Sequence, residues 1–312
     1  MGLRIVSATA DRRLAAAVAG ALHTGPVAGG IERFPDGEMR PAVGRVRGDD
    51  VYVVCSTAPP VSDRLVELLL LLDACRRAGS GRVTAVVPYF GYARQDRRSR
   101  AGEAVGARLV ADVVTAAGAE RLVVVDPHTV ALEAMFGIPV EMLTAVPVLA
   151  GAIGSLVDDD AVLVAPDLGA VKLAERYSAL LRLPVAVVRK ARVSGATVHA
   201  ENLVGDVAGR SPVIVDDMIS TGGTVEAAAK VVVAHGAAPD VVVAASHGLF
   251  VGPAADRLGA LALRRVVVTD TVALPEGPDL PVEVESVAGL LADAIGRLHR
   301  GEPVDELLFG SS

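Results

Sequence analysis

Val213-Ile214-Val215-Asp216-Asp217-Met218-Ile219-Ser220-Thr221-Gly222-Gly223-Thr224 is the most informative run in the chain. A β-branched run reaches two adjacent acids, then a loop of hydroxyl residues and glycines. Val225-Glu226-Ala227-Ala228-Ala229-Lys230 follows as a good helix opening. The run predicts a buried strand, an acidic strand tip, an anion-sized loop and a helix N-terminus. Successive backbone N–H groups at a helix N-terminus favour a phosphate. The glycines allow close backbone approach, and Ser220, Thr221 and Thr224 can donate hydroxyls. Asp216 and Asp217 cannot attract a phosphate by charge, but they suit the hydroxyls of a sugar. Together the parts describe a pocket for a phosphorylated sugar. No Gly-Lys-Ser/Thr follows, so this is not the lysine-bearing P-loop. The competing reading is an ordinary strand-to-helix turn with a capping threonine.

The chain has 312 residues, enough for two domains of ordinary size. It is rich in small aliphatics and has no Trp, a composition that suits a buried parallel sheet covered by helices. The formal charge of −7 does not favour a nucleic-acid partner. Cys55 and Cys75 form neither a metal-ligand spacing nor a disulfide framework. The N-terminus lacks a basic-then-apolar signal, and the apolar run Leu65 to Leu72 is short and carries Glu67. These features predict a cytoplasmic protein with no membrane partner.

In the first half, Leu3 to Ser7 reads as a strand and Asp11 to Leu22 as an amphipathic helix. Glu32 to Glu38 is a turn with Phe34 between charges; on local sequence alone a solvated turn is the simpler reading. Val51 to Ser56 is a strand, and Asp63 to Ala78 a helix with Leu65, Leu68, Leu69 and Leu72 on its buried face. After the strand Val83 to Val87 comes Pro88-Tyr89-Phe90-Gly91-Tyr92-Ala93-Arg94-Gln95-Asp96-Arg97-Arg98-Ser99-Arg100. Aromatics can stack on a base and arginines can grip polyphosphate. A surface basic loop is the alternative, but the position beyond a buried strand is where α/β sheets bind ligands. Gly102-Glu103-Ala104 opens a helix to Ala117. The strand Leu122 to Val125 then leads to Asp126-Pro127-His128, whose imidazole could be a ligand, an acid/base or a packed side chain.

Gly118-Ala119 before Val123-Val124-Val125 matches Gly236-Ala237 before Val241-Val242-Val243, each after a helix. The match suggests a second α/β domain built like the first. The break is expected near Thr144 to Pro147, giving domains 1–145 and 146–312. In the second half, Gly151 to Val157 reads as a helix and Asp158-Asp159-Asp160 as an exposed acidic turn. Ala161 to Ala165 is a strand, Asp167 sits at its tip, and Val171 to Leu181 is a helix. The strand Val185 to Val188 runs into the basic, flexible segment Arg189-Lys190-Ala191-Arg192-Val193-Ser194-Gly195. Val241 to Ala245 and Leu263 to Thr269 are further strands. Val287 to His299 is the final helix, and Leu307-Leu308-Phe309 a small apolar tail.

Asp216 to Thr224 resembles the ribose-phosphate motif of the phosphoribosyltransferase superfamily. With Arg33 to Glu38, Pro88 to Arg97, Asp126-Pro127-His128, Pro166-Asp167 and Lys190-Ala191-Arg192, nearly the whole chain resembles the ribose-phosphate diphosphokinase family. The resemblance implies two tandem phosphoribosyltransferase-like α/β domains, each a central, mainly parallel sheet flanked by helices. It implies transfer of the β,γ-diphosphoryl group of ATP to the 1-hydroxyl of ribose 5-phosphate, giving AMP and 5-phosphoribosyl 1-diphosphate. It further implies that Phe34, Asp36, Glu38, Arg94, Gln95, Asp96 and His128 serve ATP, the Phe34 loop reaching a neighbouring subunit of a homo-oligomer. His128 and Asp167 match the magnesium ligands. Lys190 and Arg192 match a mobile-loop pair that stabilises the transition state. Asp216, Asp217, Ser220, Thr221, Gly222, Gly223 and Thr224 match the ribose 5-phosphate site.

Several positions depart from the common bacterial form. Pro127 stands where leucine is usual, Pro166-Asp167-Leu168-Gly169-Ala170 replaces a two-glycine version, and Arg189 precedes Lys190 where an acid is common. Ser220-Thr221-Gly222-Gly223-Thr224 replaces Asp-Thr-Ala-Gly-Thr. Ala101-Gly102-Glu103-Ala104 lacks an arginine used by the phosphate-activated, ADP-inhibited enzymes. Most of these variants look like the archaeal-type, non-allosteric enzymes, so weak phosphate activation is expected. A non-catalytic regulatory relative and a phosphoribosyltransferase are the alternative functions. The ATP-side stretch and the Lys190/Arg192 pair argue against the transferase, and the compact loop with both cations argues against the regulator.

Overall fold

The structure is a computed structural model that describes residues 1–27, 29–192, 199–274 and 280–308. The side chains of residues 190–192 and 199–201 lie outside that description, as does Phe309. The chain divides into two compact units.

The first unit comprises Met1–Thr144, Thr271–Ala273 and Ser286–Ser312. Its elements are β1 (Leu3–Ser7), α1 (Arg12–Ala21), β2 (Gly29–Arg33), β3 (Met39–Val43), β4 (Asp50–Val54), α2 (Val61–Arg77), β5 (Arg82–Val87), α3 (Gly106–Ala117), β6 (Arg121–Val125), α4 (Leu132–Met135) and β7 (Val140–Leu143). A wholly parallel sheet runs β1-β4-β5-β6-β7. Every residue of β4 is buried, as expected for a central strand covered on both faces. One core cluster joins Val51 and Val53 of β4, Leu68 and Leu72 of α2, Ala85 and Val87 of β5, Val114 of α3 and Leu122 of β6. In α2 the buried positions are Glu67, Leu68, Leu71, Leu72 and Cys75, with Leu65 and Leu69 only partly covered. The buried stripe is thus shifted from the expected one towards Leu71.

The second unit comprises Ala145–Asp270 and Leu274–Glu285. Its elements are α5 (Val146–Gly154), β8 (Val162–Ala165), α6 (Val171–Leu181), β9 (Val185–Arg192), β10 (His199–Val204), β11 (Pro212–Ile219), α7 (Gly223–Ala234), β12 (Val241–Gly248), α8 (Ala254–Gly259), β13 (Leu263–Thr269) and β14 (Val282–Glu285). The sheet order is β10-β9-β8-β11-β12-β13-β14, parallel except for the β9–β10 hairpin. Ile214 packs on one side of the sheet with Val243 and Ala228, while Val213 and Val215 pack on the other with Leu149, Ala174 and Tyr177. The last helix, α9 (Ala288–Arg300), packs on α1 in the first unit. The division is therefore not a single cut: the chain returns to its first unit after residue 285.

The internal repeat is visible as geometry. α3 ends at Gly118 with φ 121°, and Ala119 N–H returns to the Val114 carbonyl. Beyond the end of α7, Gly236 has φ 90°, and Ala237 N–H returns to the Val232 carbonyl. Each helix joins two adjacent parallel strands, β5 to β6 and β11 to β12. The basic segment after Val188 is corrected: Arg189 to Arg192 continue β9 and pair with β10. Residues 193–198, which include the rest of the expected flexible segment, lie outside the described residues. No helix among the described residues is long and apolar enough to cross a membrane.

Candidate active site

The run from Val213 to Thr224 folds as β11, a loop and the start of α7. Strand pairing continues through the acids, with Asp216 opposite Ala245 of β12. Asp216 Oδ1 accepts the Asp217 N–H at 2.9 Å. Burial, then the charge of Asp217, then more weakly that of Asp167 push the Asp216 carboxyl up to about 8. Three acids are thereby brought to one end of the sheet. Gly222 caps α7 with φ 75°, a left-handed conformation that glycine adopts without steric cost. The N–H groups of the first turn of α7 lack intrahelical partners and are the natural donors to an anion.

Asp167 stands between β8 and α6. Its Oδ1 accepts N–H groups from Gly169 at 2.8 Å and Ala170 at 3.3 Å, which fixes the side chain at the strand tip. Its second oxygen is the one left for a cation. Among the described residues no three His, Cys, Asp or Glu side chains form a metal cage by themselves. One carboxylate oxygen beside a negative cluster suits a hard divalent ion whose remaining ligands are water and substrate phosphate. Asp158, Asp159 and Asp160 form the exposed turn expected of them. Lys190 and Arg192 are in β9 by backbone, while their side chains lie outside the described residues.

In the first unit, Tyr89 to Asp96 follow β5. Thr57 fixes the start of this stretch: its hydroxyl donates to the Tyr89 carbonyl at 3.0 Å and accepts the Gly91 N–H at 2.6 Å. Ser56 Oγ accepts the Tyr89 N–H at 3.2 Å, and the Ser56 N–H is held by Asp11 Oδ2 at 3.1 Å. Gly91 is needed for close approach, since a Cβ there would stand 2.7 Å from the Thr57 carbonyl oxygen. Tyr92 then turns the chain with φ 66°, and Arg94 and Gln95 emerge exposed with Asp96 half-buried. Sequence reasoning missed Ser56, Thr57 and Asp11, because their partners lie on other elements.

Phe34, Asp36 and Glu38 meet at the tip of the β2–β3 hairpin. Phe34 N–H bonds to the Glu38 carbonyl at 2.8 Å, Asp36 Oδ1 accepts the Glu38 N–H at 3.1 Å, and the Arg40 guanidinium lies 5.1 Å from the Phe34 ring centre. The expected turn is therefore the end of a paired ribbon, with Asp36 and Glu38 exposed. His128 is exposed beyond β6. The chain bends into that position at Asp126, which has φ 38° and accepts the Thr144 hydroxyl at 2.8 Å. A buried non-glycine residue held at positive φ is local strain of the kind concentrated at functional sites.

Comparison with known proteins identifies the family of the chain. Residues 3–118 match the N-terminal domain of ribose phosphate pyrophosphokinase, and residues 196–309 match the phosphoribosyl synthetase-associated domain. A ribose-phosphate pyrophosphokinase of Caldanaerobacter subterraneus is 40% identical over 308 residues, covering 98% of this chain and 97% of the relative. One from Aquifex aeolicus is 39% identical, covering 98% and 99%. The crystal structure of phosphoribosylpyrophosphate synthetase from Mycobacterium smegmatis superposes with TM-score 0.90 at 37% identity, covering 96% of this chain and all of that one. The chain belongs to the ribose-phosphate pyrophosphokinase family, with the two phosphoribosyltransferase-like domains of that fold.

Proposed function

We propose that ribose 5-phosphate sits on the β11–α7 loop, that ATP is bound through the Arg94 to Asp96 stretch, and that Lys190 and Arg192 stabilise the transfer between them. The activity is that of a ribose-phosphate diphosphokinase, with ATP and ribose 5-phosphate as substrates. The observation that carries the sugar-phosphate assignment is the sequence of parts at one sheet end: two acids, a left-handed glycine and a helix N-terminus.

In this reading Asp216 and Asp217 accept hydrogen bonds from the ribose 2- and 3-hydroxyls. Ser220 to Thr224 hold the 5-phosphate with backbone N–H groups and hydroxyls. The 1-hydroxyl attacks the β-phosphorus, the bond from that phosphorus to the bridging α,β-oxygen breaks, and AMP leaves with the electron pair. The hydroxyl proton passes to solvent, so no strong side-chain base is required. Negative charge grows on the phosphoryl oxygens and on AMP, and fixed cations there lower the barrier. Lys190 and Arg192 supply that charge. The family uses a divalent metal, and we take it to be Mg2+, held by Asp167 and His128. When bound, the ion would neutralise phosphate oxygens and polarise the transferred group.

Phe34, Asp36 and Glu38 are proposed to serve ATP in a neighbouring subunit, which makes a homodimer the smallest competent form. The chain is proposed to be cytoplasmic, and its Ala101-Gly102-Glu103-Ala104 segment to give weak phosphate activation. Phosphorus NMR of a reaction with ATP, ribose 5-phosphate and Mg2+ tests the reaction class. AMP and 5-phosphoribosyl 1-diphosphate are expected; ADP as the nucleotide product would mean transfer of a single phosphoryl group and would overturn the assignment.

A further inference from the structure

Arg257 of α8 lies against the loop that the preceding reading gives to the 5-phosphate. Its Nη1 donates to the Thr221 carbonyl oxygen at 3.2 Å. The same nitrogen is 3.1 Å from the place a Cβ on Gly223 would occupy. Its Nε is 3.6 Å from Glu226 Oε2, and the other oxygen of Glu226 accepts from Lys230 Nζ at 2.7 Å. Leu258, the next residue, backs the loop as well: a Cβ on Gly222 would meet its Cγ at 3.3 Å.

A trans peptide is planar, with C=O and N–H pointing to opposite sides. Holding the Thr221 oxygen towards α8 therefore turns the Gly222 N–H away from α8. The guanidinium also brings a fixed positive charge to a loop that follows directly on the two acids Asp216 and Asp217. Glu226 on α7 pairs with it, and Lys230 in turn holds the other oxygen of Glu226. A guanidinium suits this task because its donors form a rigid fork: Nη1 reaches Thr221 while Nε faces Glu226.

We propose that Arg257 is a positioning residue for the ribose 5-phosphate site, setting the Thr221–Gly222 peptide so that its N–H faces the phosphate. The inference rests on the assignment of this loop to the 5-phosphate. Initial rates would be measured with each substrate varied for wild type, Arg257→Ala, Arg257→Lys and Thr224→Val, with melting temperatures recorded alongside. Arg257→Ala should raise KM for ribose 5-phosphate about tenfold, the order expected for one charge-assisted hydrogen bond. KM for ATP and kcat should stay within about twofold on the same scale, and Arg257→Lys, which keeps the charge and one donor, should recover most of the loss.

Thr224→Val raising that KM while Arg257→Ala leaves it unchanged would overturn the role of Arg257 and keep the loop assignment. Neither variant affecting it would overturn both. An equal rise in both KM values, accompanied by a lower melting temperature, would show general loosening and overturn the positioning role. Recovery by lysine confined to the sugar phosphate would support it.

Discussion

The Thr57 hydroxyl uses its donor on the Tyr89 carbonyl and its acceptor on the Gly91 N–H, so both functions of one buried side chain fix the backbone leading to Arg94. Thr57→Val keeps the shape but leaves the Gly91 amide unpaired. It should cost about 1–3 kcal/mol in chemical denaturation and raise KM for ATP more than KM for ribose 5-phosphate. Thr57→Ser should reverse both effects. Asp11 gives a second prediction. It is 4% exposed, and burial pushes its carboxyl from 3.8 up to about 7. The folded chain thus holds a proton that the unfolded chain has released, so this contribution to stability is present below about pH 4 and lost as pH rises towards 7. The steepest loss would be about 1.4 kcal/mol per pH unit. Asp11→Asn should flatten that part of the stability profile while keeping an acceptor for Ser56; parallel profiles for variant and wild type would contradict it. Neither role was legible in the sequence. Asp216 was, because a double acid after a β-branched run is a local pattern; the field of Asp167 upon it depends on two strand ends meeting.

Among the helices and strands, the Val-rich runs were readable because parallel strands buried on both faces need continuous apolar sequence. The bounds of β1, α6 and β13 coincide with those read from the sequence. α3 starts later than expected, at Gly106, because Glu103 turns back to accept the N–H groups of Ser99 and Arg100 at 2.8 and 2.9 Å instead of opening a helix. α5 starts earlier, at Val146, because Pro147 lies in its first turn, where no intrahelical N–H is required. The β2–β3 ribbon was unread as strands because Gly29-Gly30-Ile31-Glu32-Arg33 is largely exposed and lacks strong alternation. Arg257 could not be found locally, since its contact to Thr221 spans 36 residues. The β11–α7 connection offers a test of its own. Gly222→Ala would force an alanine to φ 75° and place its Cβ 3.3 Å from Leu258. A loss of about 1–2 kcal/mol is expected from the backbone conformation, together with a raised KM for ribose 5-phosphate and an unchanged KM for ATP.

For the chain as a whole, the two-unit plan was legible from the repeat, whereas the return of α9 to the first unit was not: an amphipathic helix does not state in its sequence which unit it will cover. The proposed exchange of Phe34 loops predicts complementation. Phe34→Ala and Lys190→Ala proteins, each impaired alone, should recover part of the activity when mixed under conditions that allow subunit exchange. Recovery requires a site that receives an intact loop from one chain and an intact lysine from another, and its absence despite exchange would confine each loop to its own subunit. The proposed transfer of diphosphate from ATP to ribose 5-phosphate has Lys190 in the reaction. It is tested by AMP release from ATP, ribose 5-phosphate and Mg2+, compared between wild type and Lys190→Ala. AMP should form only with both substrates present, and kcat should fall by about 10³-fold or more in the variant. AMP formed equally well by Lys190→Ala, or no AMP from a wild type that binds both substrates, would contradict it.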